Sequence, residues 1–168
     1  MTKAVFTGSF DPVTYGHLDI IKRGLTIFDT LIVGIGSNHS KVSLFDGERR
    51  LELLELALND ELLPAEHERV TCQIITGLVA QFADNVGANA ILRGVRGSGE
   101  FEKESSMAQL NRRLSGIETV IIPTSAELSV VSSSAVKEIA KFGGDLAGFT
   151  PEPVANAVLS KLAEIGPG

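Results

Sequence analysis

A chain of 168 residues, 43% hydrophobic and 21% charged, has the balance of a water-soluble globular domain with enough apolar content for one sizeable core. Its net charge of −6 argues against a broad nucleic-acid-binding face, which wants a basic surface, while leaving room for a small basic pocket. The one cysteine, Cys72, excludes an intramolecular disulfide, and no apolar run is long enough to span a membrane. With no signal-peptide pattern, linker or repeat, the expectation is a single cytoplasmic domain over residues 1–168 that engages neither membrane nor nucleic acid.

The first strand is expected over Lys3 to Thr7. It runs into Gly8-Ser9-Phe10-Asp11-Pro12-Val13-Thr14-Tyr15-Gly16-His17, a tight loop in which Gly8 leaves the strand without a Cβ penalty and Pro12 fixes φ. A helix follows, with Leu18, Ile21, Leu25 and Phe28 at helical spacing and His17 in its first turn. Leu31 to Ile35 reads as a buried second strand, and Gly36 to Phe45 as a polar loop carrying Lys41. Asp46 suits the N-cap of a helix through Leu51, Leu54 and Leu58, and the charged connection Asn59 to Glu68 is expected to be partly helical.

Val70 to Ile75 is a third strand, which makes Cys72 a core residue, and Leu78 to Val86 a short helix. Ala90 to Leu92 is a fourth strand. Arg93 to Gly99 then reads as a loop with three glycines and two arginines, before a helix from about Glu100 to Leu114. Thr119 to Ile122 is a fifth strand, Ser132 to Ser134 cap a helix from Ala135 to Phe142, and Thr150-Pro151 opens a last helix striped by Val154, Val158, Leu162 and Ile165.

Strand and helix alternate five times, the pattern of an α/β fold: a Rossmann-like, doubly wound, five-stranded parallel sheet with helices on both faces. Ligands of such sheets sit beyond the carboxyl ends of the strands, at the switch point. The loops after the first, second, fourth and fifth strands hold Ser9 and His17, Lys41, Arg93 and Arg96, and Ser132 to Ser134. Together they make three cations, one histidine, several hydroxyls and two helix N-termini. That set suits polyphosphates, and stabilises transfer between two phosphorylated molecules by positioning and electrostatics.

The stretch T-G-S-F-D-P-V-T-Y-G-H resembles the T/H-x-G-H signature of the nucleotidylyltransferase superfamily. The N-H-S-K loop ending in Lys41 follows in the same order, with R-G-V-R-G at Arg93, F-E-K-E at Phe101 to Glu104, N-R-R-L at Asn111 and L-S-V-V-S-S-S at Leu128 to Ser134. With these the chain resembles the bacterial phosphopantetheine adenylyltransferases from Ala4 to about Ile165. The resemblance implies an enzyme that transfers the adenylyl group of ATP to 4′-phosphopantetheine, giving dephospho-coenzyme A and pyrophosphate, with Mg²⁺ as cofactor. This is the penultimate step of coenzyme A synthesis. It further implies a homohexamer inhibited by coenzyme A.

Carried onto this sequence, the resemblance gives Ser9, Lys41 and Arg93 to the attacking phosphate and His17 to the transition state. Arg96 and Ser132, Ser133 and Ser134 take the β- and γ-phosphates. Glu104 lies by the ribose. Phe10, Gly94, Val95 and Leu128, Ser129, Val130 and Val131 belong to the ATP site, Val79 contacts the pantetheine arm, and Asn111 looks into the same cleft. Four places depart from the family: Thr7 stands where proline is usual, Lys103 where tyrosine or threonine is, Ser105-Ser106 replace an apolar residue and a glutamine, and Leu128 replaces an aromatic. The departures bear on the pantetheine arm and base pocket more than on the phosphate groups. Two alternative readings are transfer to another phosphorylated acceptor, whose enzymes typically carry H-x-G-H where this chain has Thr14, and a non-catalytic nucleotide or coenzyme sensor.

Overall fold

The computed structural model of the protein describes residues 1–36 and 42–166. Its strands are β1 (Lys3–Gly8), β2 (Thr30–Gly36), β3 (Val70–Ile75), β4 (Ala90–Val95) and β5 (Glu118–Pro123). They form one all-parallel sheet in the order β3-β2-β1-β4-β5. The helices are α1 (Tyr15–Gly24), α2 (Gly47–Glu61), α3 (Pro64–His67), α4 (Val79–Asn85), α5 (Ser98–Ser115), α6 (Ser133–Lys141) and α7 (Glu152–Ile165), with a 3₁₀ turn at Ala126–Leu128. Among the described residues no helix is long and apolar enough to cross a membrane.

Strand residues alternate between two cores. Ala4 and Phe6 of β1 and Leu92 of β4 pack with Leu18, Ile21, Leu54, Val136, Val154 and Val158, the apolar stripes of α1, α2, α6 and α7. Val5, Ile32 and Ile91 face the other way, toward Ala83 of α4 and Ile117 at the end of α5. Each fully buried Val, Leu or Ile contributes about 1.5–3 kcal/mol, and a one-residue register slip would exchange the two rows between cores shaped for different side chains. Cys72 is partly buried against the first core, and burial, with Glu55 nearby, pushes its thiol up to about 12. It packs as an inert small apolar group.

Several boundaries differ from the sequence reading. Helix α1 starts at Tyr15, earlier than the apolar spacing suggests, because Thr14 caps it, and it ends at Gly24; Leu25 and Phe28 stay buried in the turn beyond. Arg93, Gly94 and Val95 belong to β4 and not to a loop, since β5 pairs with that strand as far as Val95↔Pro123. Gly94 is needed there: a Cβ would stand 2.6 Å from Cγ1 of Ile20 on α1. Helix α5 begins at Ser98 and closes on Gly116 at φ 75°, a left-handed cap that favours glycine. Ile165 is 63% exposed, off the buried stripe of α7.

The site follows from one feature of the sheet. Strands β1 and β4 pair only over Ala4–Phe6 and Ala90–Leu92. Beyond that the chain leaves β1 for α1 on one face and β4 for α5 on the other, so their carboxyl ends open a cleft at the switch point.

Candidate active site

A cleft of about 410 Å³ lies over the carboxyl ends of β1 and β4, lined by residues of both strands, α1, α5 and the start of α6. His17 projects into it from the first turn of α1. Thr14 accepts the His17 main-chain N–H at 3.4 Å, and the His17 ring returns the bond, Nδ1 accepting the Thr14 N–H at 3.0 Å. This is a capping box with histidine in the place glutamate usually takes. Because Nδ1 accepts a main-chain N–H, the ring proton must sit on Nε2. Burial, then the charges of Arg96 and Arg93, hold the ring pKa down to about 4, so the imidazole is neutral at physiological pH. Phe10 backs the ring at 4.8 Å between centroids and meets Phe6 edge-on. The Phe10 backbone stands at φ 46°, in the left-handed region.

The turn that carries Ser9 is braced from outside. Buried Arg50 of α2 donates to the Ser9 carbonyl at 2.7 Å and the Gly36 carbonyl at 3.1 Å. Buried Asp11 accepts the N–H groups of Leu44 and Phe45 and an ion pair from Lys137 at 3.1 Å. Ser9 itself faces the cleft and is exposed.

Across the cleft stand the arginines. Arg93 makes a two-pronged pair with Glu104 of α5, Nε to Oε2 at 2.7 Å and Nη2 to Oε1 at 2.6 Å, while Nη1 donates to the Thr7 carbonyl and hydroxyl. Arg96 pairs in the same way with Glu100, one helical turn before Glu104, and reaches the Val131 carbonyl at 3.4 Å. With Lys103, also lining the cleft, three cations face two carboxylates, a net of one positive charge among the described lining residues.

The start of α6 closes the cleft. Ser132 is the N-cap, its hydroxyl accepting the Ala135 N–H at 3.0 Å, and the Ser133 hydroxyl donates to the Pro12 carbonyl at 2.7 Å, tying α6 to the β1–α1 loop. Ser134 is exposed at the rim. Among the described residues the N–H groups of Gly16, Ser133 and Ser134 find no acceptor, which leaves two helix N-termini with donors and positive dipole ends toward the cleft.

The cleft therefore brings together Ser9, His17, Arg93, Gly94, Arg96, Glu104, Val131 and Ser132 to Ser134. Phe10 and Val95 are buried behind its wall, and Leu128, Ser129 and Val130 lie on or next to the 3₁₀ turn outside its lining. Val79 opens α4 and packs against the second core, and Asn111 is buried on α5; neither lines this cleft. Lys41 lies outside the described residues. Sequence reasoning missed Glu100, which i, i+4 spacing to Glu104 could have flagged, and the clamp on Arg93. It also missed Arg50, which carries no such signal, since an arginine on an amphipathic helix reads as solvated.

A model of the cytidylyltransferase-like family matches residues 5–139. A phosphopantetheine adenylyltransferase of Nocardioides sp. is 47% identical over 163 residues, 97% of this chain and 99% of its own length. Its counterpart in Caldanaerobacter subterraneus subsp. tengcongensis is 44% identical over 96% of this chain and 98% of its own. The solved structure of a proposed nicotinate-nucleotide adenylyltransferase from Vibrio parahaemolyticus superposes with a TM-score of 0.68 at 18% identity, covering 95% of this chain and 93% of that one, a likeness of fold.

Proposed function

The chain belongs to the phosphopantetheine adenylyltransferases, within the cytidylyltransferase-like family, and from that premise we propose how its cleft performs the transfer. The enzyme transfers the adenylyl group of ATP to 4′-phosphopantetheine, releasing pyrophosphate and dephospho-coenzyme A, in the synthesis of coenzyme A. An oxygen of the acceptor phosphate forms a bond to the α-phosphorus of ATP, and the bond from that phosphorus to the bridging oxygen of the β-phosphate breaks. The attacking oxygen is already anionic, so no general base is needed, and fixing it in line is the task of Ser9, Lys41 and Arg93. Val79 and Asn111, which stand outside this cleft, are assigned by the resemblance to the pantetheine end of the acceptor, beyond its phosphate.

The observation that carries the mechanism is the bond from the Thr14 N–H to His17 Nδ1, from which the ring tautomer follows. With Nδ1 committed to the Thr14 N–H, Nε2–H is the group left to donate to an α-phosphate oxygen. A neutral donor stabilises that oxygen most as its charge grows, without holding the ground-state triphosphate as a cation would. Arg96 and the α6 terminus at Ser132 to Ser134 take the β- and γ-phosphates and steady the departing pyrophosphate. Gly94 and Val131 border the nucleoside from the cleft lining, Val95 and Leu128 to Val130 are assigned to the same end from behind and beside it, Phe10 supports His17, and Glu104 stands beside the ribose.

Mg²⁺ fits this cleft as an ion carried by the triphosphate. The described residues offer no cluster of three ligating side chains, and both cleft glutamates are engaged by arginines. Mg²⁺ commonly keeps its waters and binds through substrate phosphates, and when bound it neutralises charge on the β- and γ-oxygens. We further assign a single domain over residues 1–168, a cytoplasmic location, inhibition by coenzyme A, which carries both the pantetheine and the nucleotide that the cleft receives, and a homohexamer. Met107, Leu110 and Leu114 support self-association: they share one exposed face of α5 at helical spacing.

The test is pyrophosphate release from ATP and Mg²⁺ with and without phosphopantetheine. Release that requires phosphopantetheine and yields dephospho-coenzyme A is expected. Release with a different phosphorylated acceptor alone would overturn the acceptor, and ATP binding without release with any acceptor would favour a sensor.

A further inference from the structure

The orientation of Arg93 is specified from two sides, and one of them is a strand hydroxyl. Alternate strand residues share a face, so Thr7 lies with Val5 on the α4–α5 side of β1, and Arg93 lies with Ile91 on the same side of β4. The ladder between these strands ends at Phe6↔Leu92. One step on, side-chain bonds replace it: Arg93 Nη1 donates to Thr7 Oγ1 at 2.8 Å and to the Thr7 carbonyl at 2.5 Å. The Glu104 carboxylate takes Nε and one N–H of Nη2. A guanidinium has five N–H donors; among the described residues these four bonds leave one, on Nη2, for a ligand.

The carboxylate alone ties the fork to α5. Among the described residues the Thr7 contacts alone tie it to β1, and Thr7 is itself buried, 6% exposed at the cleft lining. We propose that Thr7 is a positioning residue for acceptor binding: its hydroxyl pins Nη1 to β1 and thereby aims the remaining Nη2 N–H at the acceptor phosphate. The proposal rests on the reading that Arg93 holds that phosphate. Valine at position 7 keeps the branched shape and the carbonyl but removes the hydroxyl, whereas serine keeps the hydroxyl and removes only the methyl.

Steady-state kinetics of Thr7→Val, Thr7→Ala, Thr7→Ser and Arg93→Ala, with a melting curve for each, test it. Expected for Thr7→Val is a KM for phosphopantetheine raised about 5–20-fold, with the KM for ATP and kcat held within about twofold. Thr7→Ser should return the acceptor KM to near the wild-type value, and Thr7→Ala should repeat the valine result should valine disturb folding. A wild-type acceptor KM in Thr7→Val and Thr7→Ala, with that of Arg93→Ala raised, would overturn the role of Thr7 and leave the subsite reading standing. An unchanged acceptor KM in Arg93→Ala would overturn both. Equal defects in the serine and valine variants, each with a lowered melting temperature, would make Thr7 a packing residue and refute the proposal.

Discussion

The two walls of the cleft prepare for phosphate in opposite ways. On the α1–α6 wall the donors are the Nε2–H of a neutral imidazole and main-chain N–H groups at two helix ends, fixed by capping bonds and by Phe10. On the β4–α5 wall they are full charges, Arg93 and Arg96, each already held by a carboxylate of α5. A fixed neutral donor adds little to the ground state and more as charge develops. A paired arginine offers part of its fork and adds affinity only to the extent that a phosphate outcompetes or shares its glutamate. The division that follows is chemistry at His17 on the α1 wall and acceptor capture at Arg93 on the β4 wall, with Arg96 beside it turned to the departing phosphates.

Removing each wall's central group tests that division most severely. His17→Ala should lower kcat by about 10²–10³-fold, roughly 3–4 kcal/mol, with the KM for ATP little changed, as initial-rate measurements would show. Arg93→Ala should act on the other parameter, raising the KM for phosphopantetheine by about 10–100-fold in the same assay, since a charge-assisted phosphate contact is worth about 1.5–3 kcal/mol. A rise in the KM for ATP alone would mean that the two subsites are exchanged.

Smaller effects sharpen the contrast through pH. The unfolded chain protonates His17 near 6.5 and the folded chain only near 4, so the folded state is fully favoured above the first value and loses this contribution as pH falls through the second. The loss is on the order of 1–3 kcal/mol and should be absent from the melting-temperature profile of His17→Gln. The kcat/KM of the wild type, which reports the free enzyme, should show no titration of His17 between about pH 5.5 and 8, since the ring there is held down to about 4. Last, Cys72→Ser should leave turnover at the wild-type value, because the thiol is raised to about 12 and stands away from both walls.

How much of this was legible in the sequence divides along similar lines. The five strands announced themselves as short β-branched runs, and the caps Asp46 and Ser132 and the cap glycine Gly116 ended or began helices as their chemistry dictates. His17 in the first turn of α1 was readable from its distance to the first strand. Its tautomer was not, although T-x-x-H has the spacing of a capping box. The extent of β4 was hidden because Gly94 and the arginines look like loop residues until β5 supplies the ladder. Arg93 and Arg96 could be assigned to the cleft from strand order, but their engagement by Glu104 and Glu100 depends on how α5 lies across β4. Arg50 shows the limit most plainly: beside the Asp46 carbonyl of its own helix cap, its acceptors on Ser9 and Gly36 come from separate parts of the chain that only the fold assembles.

Equilibrium binding of ATP and of phosphopantetheine, each alone, to the wild type, His17→Ala and Arg93→Ala tests the division of labour most directly. His17→Ala is expected to bind both substrates as the wild type does while its turnover collapses, and Arg93→Ala to lose affinity for phosphopantetheine only. An ATP affinity that falls in His17→Ala as steeply as turnover does, or an Arg93→Ala protein that binds phosphopantetheine normally, would contradict it.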